Sequence, residues 1–327
     1  QVTPNMESRR QLTKKKLRVL CFGEAMVELS NAVGLDQNYC VGFGGDTLNT
    51  AIYLKRLLGA RVFVDYFTVL GSDPFSLKMK KYIKSEGVGT SKIKHSMERN
   101  IGLYSIEVDS NGERAFTYWR ETSAARLMFQ RRADFLNLFE YDLIYFSGIS
   151  LAILPSAVRT KLMTCLEGRP SHVKVAFDSN YRPILWESPE IAAQNIERAF
   201  RCCDIALPSL TDQKNLMQSK REETVANWFM SIGAVQTVLK RGPKGPRLIG
   251  GFEEDCKFDN CRDVVDTTAA GDSFNAGFIS AYLEGNCYLK CAKRGHELAS
   301  IVIQHPGAVC PMSKLHNYKN LSTGNTH

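Results

Sequence analysis

Val264-Val265-Asp266-Thr267-Thr268-Ala269-Ala270-Gly271-Asp272-Ser273-Phe274-Asn275-Ala276-Gly277-Phe278 decides how this chain is read. Two apolar residues end an extended run and small residues make a tight turn. From about Ala270 the spacing of Phe274, Phe278 and Ala281 predicts a helix with one apolar face. The first N–H groups of a helix have no intrahelical acceptor, so they hold anions such as phosphate, and small side chains let the anion approach. Asp272 would then stand beside a bound phosphate. A carboxylate is a poor phosphate ligand but a good base for a hydroxyl that attacks phosphorus. On the residues alone, a capped strand–helix turn without function accounts for the pattern equally well.

Outward from this stretch, strands alternate with helices. From Leu143 the pattern predicts strand 143–146, helix 156–166, strand 173–177, helix 191–200 and strand 204–207. Helices fill 210–230, short strands follow at 237–240 and 247–249, and helices 270–283 and 289–303 close the domain. Such alternation implies a mainly parallel sheet covered on both faces, an α/β fold. Upstream, 18–24 reads as the first core strand. Residues 24–41 alternate irregularly, as strands of a small accessory sheet would. Asp46 is expected to cap a helix bearing Ala51, Leu54 and Leu58 and ended by Gly59. Residues 62–70 are β-rich, and a helix is expected over 74–85. Runs 101–108 and 114–119, joined by Asp109-Ser110-Asn111-Gly112, make a hairpin.

Composition narrows the function. The chain has 327 residues, 44% hydrophobic, enough for one large α/β domain with a sizeable core. Of the formal net charge of +8, +4 lies in residues 1–16, and no basic–aromatic stripe suggests nucleic acid. The uncharged run 143–158 is shorter than the ~20 residues that span a bilayer. Ten cysteines without a Cys-x-x-Cys read as buried cytosolic thiols rather than zinc ligands. No Walker-type P-loop is present, so a phosphate cradle would have to be the helix start at 269–272.

The segment Asp266-Thr267-Thr268-Ala269-Ala270-Gly271-Asp272-Ser273-Phe274 resembles the C-terminal signature of the ribokinase-like sugar kinases, which usually carry Gly where this chain has Ala269 or Ala270. Gly44-Gly45-Asp46-Thr47-Leu48-Asn49 is similar to that family's N-terminal signature, and the resemblance runs from about Leu17 to Met312. It implies a ribokinase-like three-layer sandwich over 17–315, with a mainly parallel central sheet. A small β lid, about 25–43 and 100–120, would cover the sugar. A disordered basic tail (1–16) and a C-terminal tail (316–327) would flank this domain. The chemistry implied is transfer of the γ-phosphate of ATP, as Mg-ATP, to a sugar hydroxyl. Asp272 would take the hydroxyl proton, and the amides of Ala269, Ala270 and Gly271 would stabilise the phosphate charge.

Gly44 and Gly45 let a ligand approach the backbone, and Asp46 and Asn49 offer polar groups there. A capped loop–helix junction explains them as well; the resemblance favours sugar-hydroxyl binding. Arginines beside tyrosines hint at the substrate. Tyr104 and Tyr118-Trp119-Arg120 lie on the hairpin, and Arg182 follows a core strand in Asp178-Ser179-Asn180-Tyr181-Arg182-Pro183. Guanidinium groups suit a carboxylate rather than a neutral sugar, although both arginines could be ordinary ion-pair residues. With Gly23-Glu24-Ala25-Met26-Val27-Glu28-Leu29, these segments resemble the 2-keto-3-deoxygluconate kinases. That implies Tyr104, Tyr118, Arg120 and Arg182 contact a sugar acid.

On the nucleotide side, 237–245 resembles the family loop that passes the ATP phosphates and ribose, which nominates Lys240, Gly242 and Gly245. Ser209 and Asp212 stand where the family has Asn-x-x-Glu, a departure that leaves Asp212 an indirect part in Mg²⁺ binding. His296 could face adenine, though a packed or exposed histidine fits the helix too. Asp266 and the Thr268 carbonyl match two positions of a monovalent-cation site, with K⁺ the expected ion. The rival readings are a fructokinase or other sugar kinase of the same family, a nucleoside kinase, and a non-catalytic sugar-binding regulator. The expected partners are a small-molecule sugar acid and ATP, with no nucleic acid and no membrane. A cytoplasmic location and a homo-oligomer formed through the lid are also expected.

Overall fold

The computed structural model describes residues 16–31, 39–108, 114–234, 236–250, 258–261, 263–316 and 318. Most of both tails and the hairpin turn at 109–112 lie outside the described residues. The strands are β1 (Leu17–Phe22), β2 (Met26–Asn31), β3 (Tyr39–Gly44), β4 (Val62–Phe67), β5 (Val69–Leu70), β6 (Lys94–His95), β7 (Gly102–Val108), β8 (Arg114–Trp119), β9 (Leu143–Ser147), β10 (Lys174–Asp178), β11 (Ile205–Ala206), β12 (Thr237–Leu239) and β13 (Arg247–Ile249). The helices are α1 (Asp46–Leu58), α2 (Pro74–Ser85), α3 (Arg132–Leu136), α4 (Gly148–Ala152), α5 (Ser156–Glu167), α6 (Pro189–Cys202), α7 (Leu210–Leu216), α8 (Glu222–Ser231), α9 (Ala270–Leu283) and α10 (Tyr288–Val302).

The main sheet has the order β13-β12-β11-β10-β9-β1-β4, parallel except for β13. Its central strands read as apolar runs because both faces are covered. Leu20, Phe22, Ile144, Phe146, Val175 and Phe177 pack into one core with residues of α4, α5, α6 and α8. The alternate residues Val19, Cys21, Leu143, Tyr145 and Ala176 pack into the other with α1, α2, α9 and α10. The result is a three-layer α/β sandwich, as the alternating pattern and the family resemblance imply. The helix pair α9–α10 packs closely at Gly277, where a Cβ would come 2.7 Å from the carbonyl oxygen of Arg294.

A second sheet, β3-β2-β7-β8, stands apart from the first. Its register aligns Gly42, Glu28, Tyr104 and Tyr118 across all four strands. Tyr104 packs with Met26 and Ile106.

Local signals misplace some details. The strand expected at 173–177 runs one residue later and ends on Asp178, and the one expected at 204–207 shrinks to Ile205–Ala206. The short pair β5–β6 was not expected, because Lys94–His95 carries no apolar alternation. Asp46 is not a cap: α1 begins on it, Gly45 stands at the cap position, and the carboxylate bonds Ser147 and Asn180 instead of the helix amides.

Candidate active site

A cleft of about 1470 Å³ opens beyond the carboxyl ends of the parallel strands, where open α/β sheets place their ligands. Its wall includes Asp46, Asp178, Asp212, Lys240 and Asp272, together with Tyr104, Tyr118, Arg120 and Arg182. Residues scattered from 26 to 303 therefore share one surface.

The start of α9 forms its floor. Ala269, immediately before the helix, has φ 59° and ψ 17°. That left-handed turn aims the first turn of the helix at the cleft. The amide of Ala270 donates to the Thr267 carbonyl at 3.1 Å, so it is not a free member of an anion hole. Among the described residues, the amides of Ala269, Gly271 and Asp272 have no acceptor. Of the expected trio, the amides of Ala269 and Gly271 are unengaged and that of Ala270 is taken by Thr267. An L-residue in left-handed geometry is strained by about 1–2 kcal/mol, and Gly recovers part of this after its own entropy cost. Ala269→Gly should accordingly raise the unfolding free energy by roughly 0.5–1 kcal/mol, read from urea denaturation. A destabilised variant would show that the turn is not strained.

Asp272 is surrounded by polar groups that fix it. Its Oδ2 accepts from Asn49 Nδ2 at 2.9 Å, and its carbonyl accepts from Thr50 Oγ1 at 3.1 Å. Burial drives its carboxyl pKa up to about 8. The Asp46 and Asp178 carboxylates push the same way, whereas the Asn49 bond and Lys240 oppose. Asp46 Oδ2 accepts from Ser147 Oγ (2.5 Å) and Asn180 Nδ2 (2.8 Å), which ties α1 to β9 and to the loop after β10. Asp178, last residue of β10, accepts from Lys240 Nζ at 2.5 Å and from Asn275 Nδ2 at 2.7 Å. Asn275 also accepts from Lys240 Nζ at 3.0 Å and donates to Tyr145 at 2.9 Å.

The two arginines differ in what they face. Arg182 is 48% exposed, donates to its neighbour's carbonyl at 2.9 Å and reaches Asp212 only at 3.5 Å. Arg120 is buried at 6% and bonded to Glu24, which is 1% exposed. Its charge is therefore already met by the protein, although among the described residues Arg120 Nε and Glu24 Oε1 have no partner. Tyr104 donates to Glu28, with the Tyr118 ring 5.8 Å away between centroids. Burial raises the Asp212 carboxyl pKa against the pull of Arg182.

Several nominated residues sit in the wall rather than on its surface. Gly44 and Asn49 lie behind the cleft, and a Cβ on Gly44 would come 2.8 Å from the Tyr104 hydroxyl. Gly242 lines the cleft while Gly245 packs against Phe258. Ser209 caps α7 through the Asp212 amide at 3.4 Å. Both oxygens of Asp266 accept backbone amides, from Thr268 and Gly307, at 2.8 Å. His296 lines the cleft and bonds the Asp259 carbonyl at 2.8 Å. Glu24, Glu28, Asp178 and Asn275 were not singled out in the sequence. Each acts through a partner 35 to 97 positions away, and no local pattern announces that. The one available signal was the charged residue closing an apolar strand at Asp178.

A mainly parallel sheet with a phosphate-ready helix start and a half-buried carboxylate in its first turn defines a ribokinase-like phosphotransferase. The pfkB family carbohydrate kinase profile matches residues 16–315, and the chain belongs to that family. The 2-dehydro-3-deoxygluconokinase of Dickeya dadantii is 41% identical over 93% of this chain and 99% of its own length. The protein of the same name from Haemophilus influenzae is 37% identical over 89% of this chain and 95% of its own. Among solved structures, the aminoimidazole riboside kinase of Salmonella enterica has the same fold. Its TM-score is 0.78 at 22% identity, covering 94% of this chain and 99% of that one. No helix among the described residues is long and apolar enough to cross a membrane.

Proposed function

We propose that this kinase transfers the γ-phosphate of ATP to the primary hydroxyl of 2-keto-3-deoxygluconate, giving the 6-phosphate. The observation that carries the reading is that one cleft joins two kinds of group. Asp272, half-buried beside unengaged amides, shares a surface with a solvent-facing Arg182 and with Tyr104 and Tyr118. Relatives at 37–41% identity carry the name of the sugar-acid kinase, another name for the same activity, which supports the carboxylate-bearing substrate.

In this reading Asp272 accepts the proton of the sugar hydroxyl as that oxygen bonds to the γ-phosphorus, and the bond to ADP breaks. The amides of Ala269, Gly271 and Asp272 meet the charge on the transferring oxygens, where fixed donors stabilise a transition state most. Arg182 holds the substrate carboxylate, and the Tyr104 and Tyr118 rings flank the sugar. Gly242 and the backbone around Ser209 flank the nucleotide.

A carbohydrate kinase works on ATP with a divalent cation. Among the described residues no three acidic, histidine or cysteine side chains converge into a metal cage. That suits Mg²⁺, which keeps its waters and takes one carboxylate plus substrate phosphates. Asp212, at the cleft wall, is the carboxylate in reach of that arrangement, and the ion would neutralise phosphate charge. For K⁺, the support is a buried Asp266 carboxylate oriented by two amides next to the Thr268 backbone.

The test is kcat/KM of the purified protein on 2-keto-3-deoxygluconate and on fructose, in potassium and in tetramethylammonium buffers. A clear preference for the acid, with a rate that needs potassium, is expected. Preference for fructose would replace this reading with a fructokinase. Equal rates in both buffers would remove the potassium ion.

A further inference from the structure

Lys240 follows β12, and its backbone is bonded on both sides: its amide to the Pro208 carbonyl and its carbonyl to the Leu210 amide, each at 2.8 Å. The side chain is 11% exposed and runs to the carboxylate of Asp178 and the amide oxygen of Asn275. Its ammonium lies 3.6 Å from where a Cβ of Gly271 would stand. A cation has thus been set against the first turn of α9, which is the positive end of the helix dipole. The amide of Gly271, in that same turn, has no acceptor among the described residues.

Asp178 balances the lysine charge, but it does not use up the ammonium's hydrogens. An ammonium has three hydrogens and no acceptor capacity. Two are taken by Asp178 and Asn275, and among the described residues none accepts the third. Asp178 is held in turn by the amide of Asn180 at 3.1 Å, and Asn275 by the Tyr145 hydroxyl at 2.9 Å. The lysine stem is therefore fixed from strand β10, helix α9 and its own backbone, with one hydrogen left over beside the helix start.

Resting on the kinase reading above, we propose that Lys240 is a catalytic cation that meets the transferring phosphoryl group, and that Asp178 and Asn275 are its positioning residues. The lysine adds charge on the side of the cleft where this chain has Ser209 and Asp212, both short side chains. It forms no covalent bond and moves no proton. Its contribution is greatest when charge gathers on the equatorial oxygens during transfer.

A merely structural lysine must be separated from this one. Removing Lys240 alone leaves Asp178 buried without its counter-ion, which destabilises the fold whatever the lysine does in catalysis. Two variants are therefore compared with wild type: Lys240→Met, and the double variant Asp178→Asn/Lys240→Met, in which the orphaned charge is gone. The readouts are kcat, KM for ATP, ADP affinity by calorimetry and thermal unfolding. The double variant is expected to regain most of the lost stability. Its kcat should remain about 10²–10³-fold below wild type, with ADP affinity within about threefold of wild type.

Recovery of kcat to within tenfold of wild type in the double variant would reduce Lys240 to a structural ion-pair partner. A loss confined to KM for ATP and to ADP affinity would make it an ordinary ground-state nucleotide contact. Either result overturns the proposal. Should Lys240→Met fail to fold, the double variant carries the comparison alone. Failure of the substrate reading appears in wild type, as no turnover of the sugar acid. The comparison of variants then runs on whichever sugar wild type does phosphorylate, so the two failures stay distinct.

Discussion

Asp272→Asn is expected to lower turnover by about 10²–10⁴-fold, the usual worth of a general base, while sugar affinity stays near wild type. The neutral amide keeps the shape of the side chain and the contact with Asn49, but cannot accept the hydroxyl proton. The wild-type pH profile should carry the same signature. Burial and the neighbouring carboxylates of Asp46 and Asp178 raise the Asp272 pKa to about 8, so kcat/KM for the free enzyme should climb as pH rises towards and through that value.

Stability should run the other way. In the unfolded chain Asp272 titrates near the ordinary value of about 3.9, so between that pH and about 8 the folded state holds a proton that the unfolded state has released. The contribution of the protonated carboxyl is fully present below the lower value and is lost as pH rises to the upper one. The Asn variant should lack this part of the slope and gain on wild type at pH 8 and above. Turnover close to wild type in the variant would remove Asp272 as the base. An unchanged slope of stability against pH would mean that its carboxyl titrates normally.

Arg182→Ala should collapse the preference for the sugar acid rather than slow every substrate alike. A charge-assisted hydrogen bond to a carboxylate is worth about 1.5–3 kcal/mol, or roughly 10–100-fold in kcat/KM. Fructose offers no carboxylate and should lose little. Arg182 is the informative position because Arg120 already faces Glu24. Truncating Arg120 would strand a buried carboxylate and confuse substrate recognition with stability. Arg182 is half in solvent and reaches Asp212, itself 16% exposed, only at 3.5 Å, so its truncation strands a less buried carboxylate than the 1%-exposed Glu24. The measurement is kcat/KM on both sugars for wild type and variant. Equal losses on the acid and on fructose would take the carboxylate away from Arg182.

The architecture was legible where pattern and period agree. Strand–helix alternation after Leu143, the paired runs of the hairpin, and the small-residue entry to α9 all follow from local spacing. What escaped was non-local. Asp46 has the local signature of a helix cap, yet its carboxylate is claimed by Ser147 and Asn180, both more than 100 positions away. Arg120 and Arg182 look alike in sequence, and only the fold tells them apart, by bringing Glu24 to one and solvent to the other. In the same way the one-residue shift at the end of β10 puts Asp178 at the lip of the cleft, where Lys240 reaches it from another strand. Propensity registers an apolar run but not which residue closes it. The antiparallel edge strand β13 was readable as a strand but not in its direction.

Strand order has a consequence for how this chain comes off the ribosome. β1 lies between β4 and β9, pairing at Leu17 with Val62 on one side and at Val19 with Leu143 on the other. One edge of β1 therefore stays unpaired while more than a hundred further residues are made. At roughly 5–20 residues per second that is about 6–25 seconds of nascent life with an apolar edge open to strangers.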